Sequence, residues 1–141
     1  MDMDIRKIDD TISVTPQILE TELAELAALG FRSVISNRPD GEEMGQPTQA
    51  QIAAAAAAAG LDFRFIPVRP GGLTPELVEE FGQAMEDLPG PVLAYCRSGT
   101  RSATIWALSQ SGLKSRDEIL TAGAHAGYDL RGIAGALRDP E

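Results

Sequence analysis

Apolar positions fall in short blocks whose spacing changes along the chain. From the N-terminal side, Ile5, Ile8, Ile12 and Val14 surround Asp9-Asp10, which predicts a short β-hairpin over Ile5 to Val14. Thr15-Pro16 reads as an N-cap followed by proline at the first helical position. Leu19, Leu23 and Leu26 then form one apolar face that Gly30 ends. Phe31 to Ser36 predicts a strand centred on Val34-Ile35, broken by Asn37-Arg38-Pro39-Asp40-Gly41 into a polar loop reaching Pro47. Gln49 to Ala59 includes seven consecutive alanines before Gly60. Alanine has the best helix propensity, so this run predicts a closely packed helix rather than a low-complexity segment. Phe63 to Val68 predicts the next strand, and Arg69-Pro70-Gly71-Gly72 the loop after it. Thr74-Pro75 opens a helix with Leu77, Val78, Phe81 and Met85 inward, ended by Pro89-Gly90-Pro91. Val92 to Tyr95 is a buried strand by composition, followed by a polar loop and the helical run Ala103 to Gln110, which Gly112 stops. Ser115-Arg116-Asp117-Glu118 is a capping box, and Leu130, Ile133 and Leu137 mark a last amphipathic turn.

Strands thus alternate with helices, which predicts an α/β fold with a largely parallel central sheet flanked by helices. A length of 141 residues fits a single domain spanning 1–141. In such sheets ligands collect beyond the carboxyl ends of the strands. The loops after Ile35, Val68 and Tyr95 are therefore expected to converge, bringing Arg38, Arg69 and Arg97 towards Cys96.

The net charge of −9 argues against nucleic acid or an anionic membrane surface as partner, because either selects a basic face. One cysteine excludes an internal disulfide, and one histidine argues against a metal cluster. Met1 to Ile12 is charged, and no uninterrupted apolar run reaches the length of a membrane span. The expectation is a cytoplasmic protein without metal or cofactor; oligomeric state is not legible.

The candidate chemistry lies in Cys96-Arg97-Ser98-Gly99-Thr100-Arg101-Ser102. A strand runs into the cysteine, and a tight loop then enters a helix. Backbone N–H groups at a helix start, with the positive end of the dipole behind them, bind anions and favour a thiolate. A buried structural cysteine is the commoner fate of a lone thiol. That reading leaves the glycine and two arginines in the next five positions unexplained, so Cys96 is read as a nucleophile. Gly99 suits close backbone approach or positive φ, and Arg101 is the expected oxyanion ligand. Arg97 is expected at the rim, and Ser102 is placed either to donate to the sulfur or to cap the helix. Arg38, Asp40 and Arg69 are candidates for the pocket rim, although an aspartate between Pro39 and Gly41 is also an ordinary turn residue. His125 reads as a core or helix-end histidine, and Trp106 as core.

The order of elements, with Leu73-Thr74-Pro75-Glu76-Leu77 before Pro91 to Cys96, resembles the dual-specificity protein phosphatase fold across most of the chain. The loop departs from that family. Cysteine-dependent phosphatases place five residues between cysteine and arginine, usually with histidine before the cysteine. Here four residues separate Cys96 from Arg101, and Tyr95 stands in the histidine position. The shorter loop instead resembles that of rhodanese sulfurtransferases. Together with Asn37-Arg38-Pro39-Asp40-Gly41-Glu42-Glu43, it is similar to a small bacterial family of phosphatase-fold, rhodanese-like sulfurtransferases. That domain also forms the N-terminal part of β-lactamase hydrolase-like proteins, joined there to a metallo-hydrolase-fold persulfide dioxygenase.

The resemblance implies a protein-tyrosine-phosphatase-like architecture and a stand-alone sulfurtransferase. Cys96 would take sulfane sulfur from thiosulfate or a low-molecular-weight persulfide and pass it to a thiol or cyanide. A separate persulfide-oxidising enzyme is an implied partner. Phosphatases of this fold carry an aspartate general acid on the loop that here reads Arg69-Pro70-Gly71-Gly72-Leu73, with no acid. Sulfite or a thiolate leaves as a stable anion, so that departure favours sulfur transfer. A cysteine-dependent phosphatase working through a Cys96 phosphocysteine is the alternative. A non-catalytic anion- or partner-binding module is a third reading.

Overall fold

The computed structural model describes residues 3–141. Five strands form one sheet: β1 (Arg6–Lys7), β2 (Ile12–Thr15), β3 (Ser33–Ser36), β4 (Asp62–Phe65) and β5 (Val92–Tyr95). Their spatial order is β1-β2-β5-β3-β4, with β1 antiparallel to β2 and every other pair parallel. The hairpin expected from Ile5 to Val14 forms, with Arg6 opposite Val14 and Lys7 opposite Ser13. Its turn is tied by the Asp9 carboxylate, which accepts from the backbone N–H groups of Thr11 and Ile12.

Both faces of the sheet are covered, which is why β3 and β5 read as unbroken apolar or small runs rather than alternating ones. Odd and even positions still separate two cores. Val34, Leu93 and Tyr95 pack with Ile18, Leu23, Leu26, Ile52 and Ala56, beneath α1 (Leu23–Ala28) and α2 (Gln49–Ala58). Ile35, Val92 and Ala94 pack on the other side with Phe81, Ala103, Trp106 and Ile119, from α3 (Pro75–Asp87), α4 (Thr100–Ser109) and α5 (Arg116–His125). The result is a single three-layer α/β domain.

The alanine run forms α2, capped by Thr48 and Gln51, with Ile52 and Ala56 fully buried. Of the seven alanines Ala56 is buried, Ala53, Ala55 and Ala59 are half-buried, and Ala54, Ala57 and Ala58 are exposed. Thr15-Pro16 does not open a helix. Thr15 is the last residue of β2, paired with Tyr95, and helical structure starts later, in a 3-10 turn at Glu20–Glu22 that runs into α1. Strand pairing outweighs the local capping preference of Thr-Pro. The strand expected over Phe63 to Val68 is hydrogen-bonded as β4 over Asp62–Phe65. Ile66 and Val68 continue to donate to the carbonyls of Ser36 and Asn37. Trp106 is buried, and His125 is exposed in the last turn of α5.

No described helix is long and apolar enough to cross a membrane. A groove of about 840 Å³ runs along α3 and the C-terminal end of α4, lined by Leu73, Val78, Met85 and Leu113 among others, and includes no residue of the Cys96 loop. Size alone does not mark the chemistry here.

Candidate active site

Because β5 lies between β2 and β3, the loop after it is flanked by the loops leaving both neighbours. From one side, the Gln17 N–H donates to the Arg97 carbonyl at 3.4 Å. From the other, the Asn37 N–H donates to the Tyr95 carbonyl at 2.8 Å. These contacts extend the sheet ladder just past its last residues and hold the loop from two directions.

Cys96 is fully buried at the end of β5, and its Sγ accepts the Gly99 N–H at 3.1 Å. Gly99 has φ +90°, a conformation that L side chains rarely adopt, and a Cβ there would run into the Tyr128 hydroxyl. That hydroxyl donates to the Ser98 carbonyl at 3.2 Å, so a residue from beyond α5 braces the loop from behind. The left-handed turn lets α4 begin at Thr100, three residues before the apolar run from Ala103 that marks it in the sequence. Its N-cap residue, Gly99, has no side chain to cap it; the Thr100 N–H donates to Ser98 Oγ at a long 3.5 Å, and the next N–H groups carry no side-chain cap. The helix N-terminus therefore faces the cysteine with backbone donors open to an anion. Ser98 and Thr100 are exposed and face each other, Oγ to Oγ1, at 3.1 Å.

Arg101 reaches across the site. Its Nη1 donates to Glu42 Oε2 at 2.8 Å and to the Val68 carbonyl at 2.7 Å, and its Nη2 donates to Glu42 Oε1 at 2.8 Å. A guanidinium has five N–H donors. The two that remain, on Nε and Nη2, lie along one edge of the plane. Glu42 is itself shared: its Oε1 also accepts from Arg38 Nε at 3.0 Å. Arg38 is buried, and its other nitrogens donate to Gln17 Oε1 at 3.1 Å and Glu43 Oε1 at 3.4 Å. Exposed Arg97 lies 3.9 Å from the far oxygen of Glu43. Arg38, Arg97 and Arg101 are thus joined through two carboxylates. Exposed Arg69 follows Val68 without joining that network.

Two candidate residues are spent structurally. Asp40 accepts from the Gln49 N–H at 2.7 Å and fastens the loop to the start of α2. The Ser102 hydroxyl is buried and donates to Asn37 Oδ1 at 2.8 Å, rather than to the sulfur, while Asn37 Nδ2 holds the Ile66 carbonyl. The Asn37–Ser102 bond ties α4 to the neighbouring loop. Tyr95, in the position where phosphatases usually carry histidine, faces the α1–α2 core, and burial pushes its phenol up to about 12. It stays neutral and contributes no positive charge to the thiol.

The Arg101 guanidinium beside Glu42, assisted by Arg38, holds its carboxyl below the ordinary value of 4.5 despite partial burial. The same hydrogen bond raises Arg101, with nearby Cys96 adding to the effect. A carboxyl lowered by folding adds stability above its unfolded value and loses it as pH falls through the lowered one. Urea midpoints measured against pH should therefore fall more steeply below 4.5 for the native chain than for Glu42→Gln. Parallel curves would show that Glu42 is not paired in solution.

Sequence reasoning reached Arg38, Arg97 and Arg101, named Asn37 and Glu42 only within the motif that carries the family resemblance and gave them no role, and passed over Gln17 and Tyr128. For Glu42 a signal existed, since an acid four residues beyond Arg38 in an arginine-rich site calls for pairing. For Tyr128 no local signal existed.

A family model described as beta-lactamase hydrolase-like protein, phosphatase-like domain, matches residues 4–113. The beta-lactamase hydrolase-like protein of Agrobacterium fabrum is 39% identical over 126 residues, covering 88% of this chain and 29% of its own length. That of Xylella fastidiosa is 38% identical over 130 residues, covering 91% and 30%. The chain therefore spans about three tenths of the length of these curated relatives. A phosphatase candidate from Neisseria meningitidis, known by its crystal structure, superposes with a TM-score of 0.83 at 34% identity, covering 95% of this chain and 96% of that one. TpbA of P. aeruginosa, solved with pTyr, superposes with a TM-score of 0.66 at 16% identity over 95% and 82% of the two chains. At that identity the likeness is one of fold, and it shows the phosphatase-like architecture.

Proposed function

Since the chain belongs to the phosphatase-like domain family of beta-lactamase hydrolase-like proteins, we propose that it is a cysteine-dependent enzyme of the phosphatase type, with Cys96 as nucleophile. The observation that carries this reading is the Cys96 sulfur seated on the Gly99 N–H at the open start of α4, with Arg101 alongside. The similarity to the Neisseria phosphatase candidate supports it. In the first step the Cys96 thiolate attacks phosphorus; the S–P bond forms and the bond to the leaving oxygen breaks. Loop N–H groups and the free edge of Arg101 hold the phosphoryl oxygens. Water then attacks the phosphocysteine, the S–P bond breaks, and phosphate leaves with the proton passing to solvent.

Which leaving groups depart is set by the missing acid. The loop Arg69 to Leu73 has no carboxyl, and Glu42 is held ionised by two arginines, so neither supplies a proton. A general acid typically contributes about 10²–10⁴-fold. The enzyme is therefore suited to leaving groups that depart as stable anions.

The same feature favours a second reading, sulfur transfer. Cys96 attacks the outer sulfur of a persulfide or thiosulfate, a new S–S bond forms, and thiolate or sulfite departs unprotonated. An acceptor thiolate or cyanide then takes the sulfur and restores Cys96. Persulfide-oxidising chemistry, in another enzyme or another domain, would be a natural partner in that case.

Intact-protein mass after brief exposure to an aryl phosphate or to glutathione persulfide tests both, with protein alkylated at Cys96 as control. A phosphoryl adduct that the alkylated control lacks is expected. A sulfur adduct alone would move sulfur transfer to first place. Neither adduct, from a chain whose thiol alkylates normally, would leave an anion- or partner-binding module.

A further inference from the structure

Glu42 does more than brace Arg101. Its position is built: its N–H donates to Gln46 Oε1 at 3.1 Å, Gln46 Nε2 holds the Pro39 carbonyl, and its side chain is only 17% exposed. It brings a full negative charge to the guanidinium meant for an anion. The charged groups around it are Arg38 and Glu43 on its own loop, Arg97 on the Cys96 loop, and Arg101 on α4. Gln17, from the loop after β2, adds dipoles but no charge. Asp40 is engaged at α2, and Arg69 stands outside the network.

Three guanidinium groups against two carboxylates leave one net positive charge. To this the start of α4 adds about half an elementary charge, together with the loop N–H groups. That suffices for one negative charge and falls short for two.

We propose that Glu42 is a specificity-determining residue: seated on Arg101 beside Cys96, it makes the site prefer groups carrying one negative charge over dianions. This rests on the Cys96 loop being an anion-binding site, as read above. Substrates would then present a singly charged group, such as a monoprotonated phosphate ester or, in the sulfur-transfer reading, a persulfide in preference to thiosulfate.

Methyl sulfate and sulfate share the same sulfonyl oxygens and differ by one charge, so their dissociation constants at one pH test the proposal without titrating the protein. Calorimetry is expected to show the native chain binding methyl sulfate more tightly than sulfate. Glu42→Gln should tighten sulfate by about tenfold and erase the preference, as removal of a nearby like charge requires. Glu42→Asp, which keeps the charge, should retain the preference even where both anions bind more weakly. Equal binding of the two anions by the native chain, or Glu42→Gln weakening both alike, would overturn the proposal and leave Glu42 a brace for Arg101. Failure of both anions to bind the native chain and both variants would instead remove the anion-site reading beneath it.

Discussion

Serine at position 96 is expected to abolish turnover, a loss of about 10⁴-fold or more in kcat, of the order seen when an enzyme loses its nucleophile. A hydroxyl is not ionised near neutrality, and no base lies beside it: Ser102 is bonded to Asn37, Tyr95 faces the opposite core, and Glu42 is committed to two arginines. The helix end and the Gly99 N–H stabilise a thiolate but do not take a proton from serine. The fold should survive, because an oxygen in the same place still accepts the Gly99 N–H. Anion binding should persist, since the loop N–H groups, the start of α4 and Arg101 all remain. Kinetics with an activated aryl phosphate and calorimetry with methyl sulfate read the two properties separately. Residual turnover within a hundredfold of the native chain would show that Cys96 is not the nucleophile.

Arg101→Ala is the second large effect, an expected fall of about 10²–10³ in kcat/KM. The variant removes the two-donor edge that would meet the developing charge. It also strips Glu42 of its bidentate partner and leaves that carboxylate to Arg38 alone. Lysine is a poor substitute: it keeps the charge, but cannot make two parallel bonds to Glu42, hold the Val68 carbonyl and still present an edge to substrate. Arg101→Lys should therefore regain at most about a tenth of the activity. The double variant Arg101→Ala/Glu42→Gln should be less impaired than the separate losses imply, because the carboxylate is no longer stranded. Full activity in Arg101→Lys would show that charge alone matters and that the planar fork does not.

Local chemistry was enough for much of this molecule. The strand before Cys96, the helix after it, the alanine helix and the capped α5 follow from side-chain periodicity, propensity and capping, each acting within a few residues. The nucleophile loop is equally local, since a thiol, a glycine and an arginine spaced along one turn carry their meaning in sequence. The α/β class follows from alternation of elements.

Contacts between distant residues decided the rest. Thr15-Pro16 carries every local mark of a helix start, yet Thr15 pairs with Tyr95 because β2 lies beside β5. Glu42 and Arg101 are separated by 59 positions, Asn37 and Ser102 by 65, and Ser98 and Tyr128 by 30. Sequence alone names the charges in the site and leaves open how they pair. Pairing depends on which loops the sheet order sets side by side, and that order is fixed by burial over the whole chain. The sequence by itself determined most of the elements, the thiol, and Arg38, Arg97 and Arg101. Tertiary structure alone decided that a carboxylate would sit on Arg101, because a hydrogen bond of 2.8 Å forms only between groups that folding has already brought together.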